Sequence, residues 1–263
     1  QAGPLDSRLS ASGREVAAGI AVLLRSPAPR SRPMELSIAL ALALVLVLIG
    51  QWLSRRAARH HRQHLRQLQS TTLQRCLELL QTLQQHRGLG AQQDIASTSQ
   101  RNALARRLDR LWLNWPGPSL QLAPLQQDWP QLRRKPADFA AHCRVIEALL
   151  GVIEQLEDRL CLEAGPPLRG LGQACRVLED LARLRGLAMR AANYQRCPSG
   201  LQEQLRHLCQ RLAEPGHGEP LHGLLRRLER ELIEAPQARL SPSDCFALLT
   251  PLIDAGWRGL PGR

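Results

Sequence analysis

Two arginines stand at equivalent places in a repeated frame, Leu-x-x-Leu-x-x-x-Arg-Gly-Leu. The first copy begins at Leu80 and carries Arg87, and the second begins at Leu178 and carries Arg185. On a helix, each arginine lies within about 20° of the leucine that opens its frame. A charge in line with an apolar seam is costly to bury without a partner, and a planar fork of N–H donors suits a planar oxyanion. The repeat therefore predicts that Arg87 and Arg185 share a small anion.

A second interpretation of these arginines stays open. Each could end its helix and extend to solvent, with the following glycine as a helix cap. Gly88 and Gly90 favour this for Arg87, whereas the apolar pattern after Arg185 continues as a helix. We interpret the neighbouring His86 as a polar flank of its helix rather than as a ligand or a switch.

The sequence contains none of the common catalytic or metal-binding patterns. It has no nucleophile paired with a base, no phosphate-binding glycine loop and no metal-ligand spacing. The seven cysteines are an odd number, scattered, and never spaced Cys-x-x-Cys. Free buried thiols in a reducing compartment explain them better than disulfides or zinc. We expect no enzyme activity, no cofactor and no metal.

The composition favours helices almost everywhere. Alanine, leucine, arginine and glutamine dominate, while aromatic residues make up 3%. The net charge is +12, nearly all from arginine, since Lys135 is the only lysine. The basic run between Arg55 and Arg66 lacks interleaved aromatic residues, so nucleic-acid binding is the weakest of the interpretations and is not expected.

One apolar segment predicts a single membrane span. Residues 36–53 carry no charge, and we place a transmembrane signal anchor at residues 34–54. A basic juxtamembrane helix follows at residues 55–72, with five arginines between Arg55 and Arg66. This flank predicts a cytoplasmic side for the soluble part. A cleaved signal peptide would have its charges before the apolar stretch, which is the reverse of the order here.

The first 33 residues are rich in Ser, Pro, Gly and Arg, and we expect this leader to be disordered. Met34 stands directly before the span. Whether residues 1–33 belong to the natural protein stays open.

The soluble part, residues 73–263, reads as an all-α antiparallel helical bundle on the transmembrane helix. The first predicted helix ends near Gly88, the second begins near Ser97, and the third runs from Phe139 to a stop at residues 165–167. The fourth runs from Leu168 to Cys197, and the fifth begins at a Ser199-x-x-Gln202 capping box. The sixth spans Pro220 to Ile233, and the last begins at Ser241. Between the second and third, residues 114–136 hold five prolines and predict an irregular connection. We expect one short helix there, near residues 122–126, and expect Trp115 and Trp129 to pin the connection onto the bundle.

Four stretches, taken in order, resemble the nitrate- and nitrite-sensing domain family of bacteria. They are LLQTLQQHRGLG, DWPQLRRKPADFAAHCRVIEALLGVIEQLEDRL, LEDLARLRGLAMRA and SPSDCFALLTPLIDAGWRGL. The resemblance covers roughly residues 65–260. It implies two packed antiparallel four-helix bundles, with nitrate or nitrite bound between helices by Arg87 and Arg185.

The resemblance also has departures. The family's first motif continues with serine after Arg-Gly-Leu, but position 90 is glycine here and the second copy has Ala188. Family members fuse the domain to an output module, and none follows Trp257. We therefore expect a single-pass protein of the bacterial inner membrane that signals through an unidentified output protein, with homodimer formation left open. The alternative is a helical scaffold that keeps the fold without binding a ligand.

Overall fold

The structure is a computed structural model that describes residues 33–90, 92, 95–113, 115–164, 168–213 and 219–260. Within these ranges every regular element is a helix, which confirms the all-α prediction. The expected leader, apart from Pro33, lies outside the described residues, and so does the predicted helix stop at residues 165–167.

The helices follow one another along the chain with short connections. Their bounds are α1 Pro33–Leu89, α2 Ile95–Leu113, α3 Gly117–Leu120, α4 Trp129–Arg134, α5 Phe139–Ala164, α6 Leu171–Ala191, α7 Ser199–Leu212, α8 Glu219–Leu228 and α9 Pro242–Arg258. A 3₁₀ turn, Leu125–Gln127, precedes α4, and a π-helical turn, Glu229–Ile233, continues α8.

The chain divides into two compact units, Gln1–His61 and Arg62–Arg263. In the first unit, the large apolar side chains of α1 between Leu40 and Leu53 are exposed. This helix is long and apolar enough to cross a membrane, judged by length and composition. The guanidinium of Arg56 lies over the Trp52 ring, with 5.2 Å between its central carbon and the ring centroid.

In the second unit, α6 is the most completely buried helix. It packs against α5, α7 and α9, and its buried face runs from Leu171 through Leu184 to Ala191. The leucines of the α1 seam, from Leu73 to Leu83, belong to the same core. A helix with neighbours on several sides must bury any polar residue that falls on those sides, which is the situation of Arg185.

Glu157 of α5 fixes the start of α6. Its two carboxylate oxygens accept the N–H groups of Gly170 and Gly172 at 2.5 and 2.6 Å. These are N–H groups that the first turn of a helix leaves without partners, and a negative charge is favourable there. Gly170 has a φ of 89°, in the left-handed region that favours glycine.

Two predictions about helix ends had different outcomes. Ser241 caps α9 as expected: its hydroxyl accepts the Asp244 N–H at 3.1 Å, and Pro242 occupies the first turn. The capping box at Ser199 was wrong, because Ser199 already lies within α7 and Pro198 precedes the helix. The Gln202 side chain instead donates to the Ile233 carbonyl at 2.8 Å, which ties α7 to the π-helical turn.

The proline-rich connection is more helical than expected. It contains α3, the 3₁₀ turn and α4 rather than one short helix at residues 122–126. Trp115 and Trp129 are both buried, as predicted. The Trp129 indole N–H donates to Asp109 Oδ1 of α2 at 2.8 Å, so this ring joins α4 to α2.

Candidate functional site

Both predicted arginines lie inside the second unit. Arg87 is 4% exposed near the end of α1, and Arg185 is 6% exposed in the middle of α6. The interpretation that they extend to solvent was therefore wrong. The cause is tertiary packing, which covers the face of each helix that carries the arginine.

Arg87 forms a bidentate ion pair with Glu179 of α6. Its Nη1 and Nη2 atoms donate to the two carboxylate oxygens at 2.5 and 3.0 Å. Gln84 Nε2 donates to the same carboxylate at 3.1 Å, and Arg87 Nη1 also donates to Cys143 Sγ at 3.2 Å. Burial opposes the charge of Arg87, but the Glu179 carboxylate outweighs it and raises the pKa of Arg87.

Arg185 has a different environment. Its Nη1 atom donates to the Thr250 hydroxyl of α9 at 3.1 Å, and its guanidinium lies 5.1 Å from the Phe246 ring centroid. Among the described residues, no carboxylate lies at ion-pair distance from it. Burial, followed by repulsion from Arg87, lowers the pKa of Arg185, and the more distant Asp254 opposes this only in part. Arg185 is thus a buried cation without a neighbouring counterion.

The glycines that follow the two arginines shape the space around them. A Cβ atom on Gly88 would lie 3.6 Å from Arg185 Nη2, so the missing side chain at position 88 faces this guanidinium. A Cβ atom on Gly186 would lie 2.7 Å from Cε2 of Phe139, closer than real Cβ contacts. Phe139 can approach α6 only because position 186 is glycine.

A cavity of about 220 Å³ lies at this point. Residues of four segments line it. They are Arg87, Gly88 and Gln92 at and just after the end of α1; Phe139 of α5; Gly186, Met189, Arg190 and Asn193 in and just after α6; and Pro242 of α9. Arg185 is not one of its lining residues but reaches its wall at Gly88. A water molecule occupies about 30 Å³ in the liquid, so the cavity has room for a small anion and some water.

Arg190 and Phe139 are residues of the cavity that sequence reasoning missed. The guanidiniums of Arg87 and Arg190 lie 5.0 and 4.6 Å from the centroid of the Phe139 ring. Arg190 also donates to the Ala137 carbonyl at 3.0 Å. Arg190 lies within the stretch LEDLARLRGLAMRA but outside the repeated frame, and its helical spacing from Arg185 does not suggest a common site.

His86 is not the polar flank that we expected. It is 1% exposed, and its Nδ1 atom lies 2.9 Å from Nε2 of His142 on α5. The two rings stack with centroids 5.2 Å apart. Burial, His142 and Arg101 together lower the pKa of His86 to about 4, and burial also lowers the pKa of His142. Both imidazoles are therefore neutral near pH 7.

The cysteines are free thiols, and five of the seven are buried. Burial raises the pKa of Cys76, Cys175 and Cys209 to about 12, which keeps these thiols protonated. Among the described residues, no group of His, Cys, Asp and Glu could hold a metal ion.

The geometry of the second unit thus brings together Arg87, Arg185, Arg190 and one carboxylate, Glu179, around or beside one cavity. Comparisons with known proteins add no relative: no protein-family model, no curated protein and no solved structure matches this chain. The resemblance to the nitrate- and nitrite-sensing domain family therefore stays a prediction.

Proposed function

We propose that this chain is a membrane-anchored sensor, without enzyme activity, that binds nitrate or nitrite between α1 and α6 through Arg87 and Arg185. The observation that carries the proposal is the uncompensated buried charge of Arg185 beside a second buried arginine. The buried guanidiniums of Arg87 and Arg185 and the buried Glu179 carboxylate leave one positive charge in excess, and a monovalent anion would neutralise it.

The shape and chemistry of the surroundings suit a small planar oxyanion. Its oxygens would accept N–H bonds from guanidinium groups, which present donors in a plane. The Thr250 hydroxyl, which accepts a bond from Arg185, supplies a further polar group beside that guanidinium. Phe139 and Met189 supply apolar parts of the cavity wall.

Glu179 provides a way for ligand binding to change the protein. An anion beside Arg87 competes with the Glu179 carboxylate for the same guanidinium, because both need its N–H groups. Arg87 lies on α1 and Glu179 on α6, so weakening this ion pair weakens a direct contact between the two helices. The signal then passes to a partner protein or to a second copy of the chain.

The proposal includes the arrangement expected from the sequence. The soluble helices form an antiparallel bundle, arranged as two four-helix bundles, on the cytoplasmic side of a bacterial inner membrane. The exposed apolar side chains from Leu40 to Leu53 and the arginines that follow them support a single span with this orientation.

Isothermal titration calorimetry of the full chain in detergent micelles tests ligand binding. Nitrate and nitrite should release or absorb heat that saturates at one anion per chain, whereas chloride at equal ionic strength should not. No saturable binding of either oxyanion at millimolar concentration, by a folded chain, would contradict the proposal.

The second candidate is a helical scaffold without a ligand. The Arg87–Glu179 pair favours it, because the pair already satisfies one of the two arginines without an anion. A scaffold predicts that nitrate leaves the melting temperature unchanged, while a sensor predicts an increase. Ligand at about 100 times Kd adds roughly 2.7 kcal/mol to the free energy of unfolding.

A further inference from the structure

A second cavity, of about 420 Å³, lies beside His86 and is lined by residues of α1, α2 and α4 together with Pro136. Its charged lining consists of arginines alone. These are Arg101 and Arg106 of α2 with Arg133 and Arg134 of α4. His86 of α1 also lines the cavity.

The arginines of this cavity have few counterions. Arg133 pairs with Asp109 at 3.0 Å. Arg101 donates to the carbonyls of Leu89 and Gln92 at 3.2 and 3.0 Å, which holds its guanidinium at the end of α1. In the part of the chain that the structure describes, no carboxylate lies at ion-pair distance from Arg106 or Arg134. Four positive charges thus face one negative charge, and the excess favours an anion with more than one negative charge.

The histidine pair determines which hydrogen bond His86 can make with a ligand. His142 Nδ1 lies 2.7 Å from the Asp138 carbonyl, which can only accept, so this nitrogen carries the proton. His142 Nε2 is then an acceptor, and His86 Nδ1 must be the donor in the 2.9 Å contact between the two rings. The remaining nitrogen, Nε2 of His86, is therefore an acceptor.

We propose that this cavity binds inorganic hydrogen phosphate, a soluble anion that carries two negative charges and one proton. The arginines of α2 and α4 bind the charged oxygens, and the P–O–H group donates to Nε2 of His86. Arginine suits phosphate because its N–H groups match two oxygens at once.

Calorimetric titration of the full chain with inorganic phosphate at pH 7 tests this site. Arg106→Gln and Arg134→Gln each remove one charge-assisted contact, and each should weaken phosphate binding about tenfold. Arg110→Gln is the matched control, because Arg110 is an exposed arginine of α2 that does not line the cavity. It should leave phosphate binding unchanged, and Arg106→Gln should leave nitrate binding unchanged. Equal phosphate affinity in all three variants would overturn the proposal.

Sulfate provides the test of His86. It has the shape and charge of hydrogen phosphate but carries no proton at pH 7, so it should bind at least about tenfold more weakly. Equal affinity for the two anions would overturn the assigned role of His86. Lipid nanodiscs containing phosphatidic acid separate a soluble ligand from a lipid headgroup. Binding seen only with phosphatidic acid would overturn the proposal of a soluble ligand.

Discussion

The Nη2 atom of Arg185 lies 3.6 Å from the point that a Cβ atom on Gly88 would occupy. That point is open because glycine has no side chain, and Gly88 also lines the cavity beside Arg87. The two Arg-Gly-Leu frames of the sequence thus meet in space, with the glycine of one facing the arginine of the other. An anion held by both arginines would use this opening.

Gly88→Ala should therefore raise the stability of the fold and at the same time weaken nitrate binding. Alanine is favoured over glycine within a helix, so we expect the free energy of unfolding to rise by about 0.5–1 kcal/mol. The new methyl group would occupy the opening beside Arg185 and weaken nitrate binding. Gly151→Ala on α5 is the control, because a Cβ there meets nothing within 4 Å. It should stabilise the fold similarly and leave calorimetric nitrate affinity unchanged.

If Gly88→Ala and Gly151→Ala bind nitrate with the same affinity as the natural sequence, the opening at Gly88 is not part of the site.

Glu179→Gln tests the competition between the carboxylate and the anion. Arg87 would lose the carboxylate of its buried ion pair, which should lower the free energy of unfolding by about 3–5 kcal/mol. Nitrate could then take the place of the carboxylate, so it should raise the melting temperature of the variant more than that of the natural sequence. Thermal unfolding at increasing nitrate concentrations measures both effects.

Asp180→Asn is the control for this variant. Asp180 is the next residue on α6 and pairs with the half-exposed Arg211 at 2.7 Å. Losing this more exposed pair should cost about 1 kcal/mol or less, and the response to nitrate should not change. A nitrate response that is equally small in both variants would contradict the competition.

Stability should decrease on mild acidification because of His86. Its pKa is about 4 in the folded chain, compared with 6.5 ordinarily, and His142 and Arg101 are the ionisable groups that face it. The unfolded chain therefore takes up a proton between pH 6.5 and 4 that the folded chain does not. The contribution of His86 is complete above pH 6.5 and is lost as the pH falls toward 4, by an amount on the order of 3 kcal/mol.

Urea unfolding at pH 7, 6 and 5 measures this slope. His86→Gln should make the loss of stability between pH 7 and 5 smaller than in the natural sequence. His207→Gln, at an exposed histidine of α7, controls for the removal of one imidazole and should leave the slope as it is. An unchanged slope in His86→Gln would show that His86 is not the group that titrates.

The arginines between Arg55 and Arg66 predict that the C-terminal part of the chain lies in the cytoplasm. A reporter fused to the C-terminus that folds only in the cytoplasm should be active, and one that needs export should be inactive. Replacing the five arginines of this run by glutamine should reduce the activity of the cytoplasmic reporter. Activity of the exported reporter alone, in the natural sequence, would contradict the orientation.

The leucine seams were enough to predict the main helices, because a period of 3.6 residues is a local property. The seam from Leu73 to Leu83 gives a buried face, and Ser241 with Pro242 marks a helix start. The capping prediction failed at Ser199, where the same local signal competes with the bond from Gln202 to Ile233. The acceptor in this bond, the Ile233 backbone carbonyl, comes from a distant part of the chain.

The partners of the two arginines could not be predicted in the same way. Glu179 follows Leu178 in the second frame, but its contact with Arg87 depends on how α1 packs against α6. Thr250 reaches Arg185 from α9, through tertiary structure alone. The repeated frame indicated that a charge was placed on an apolar seam, and only the packing distinguishes the paired Arg87 from the uncompensated Arg185.

The most direct test of a shared anion is a double-mutant cycle on Arg87 and Arg185, with nitrate affinity measured by calorimetry on the full chain. If both bind one anion, Arg87→Met and Arg185→Met should each remove most of the binding, and the double variant should lose little more than either alone. Arg185→Met should leave the ligand-free fold as stable or more stable, since it removes a buried uncompensated charge. Two small effects on nitrate affinity that simply add, or no effect at all, would contradict the account.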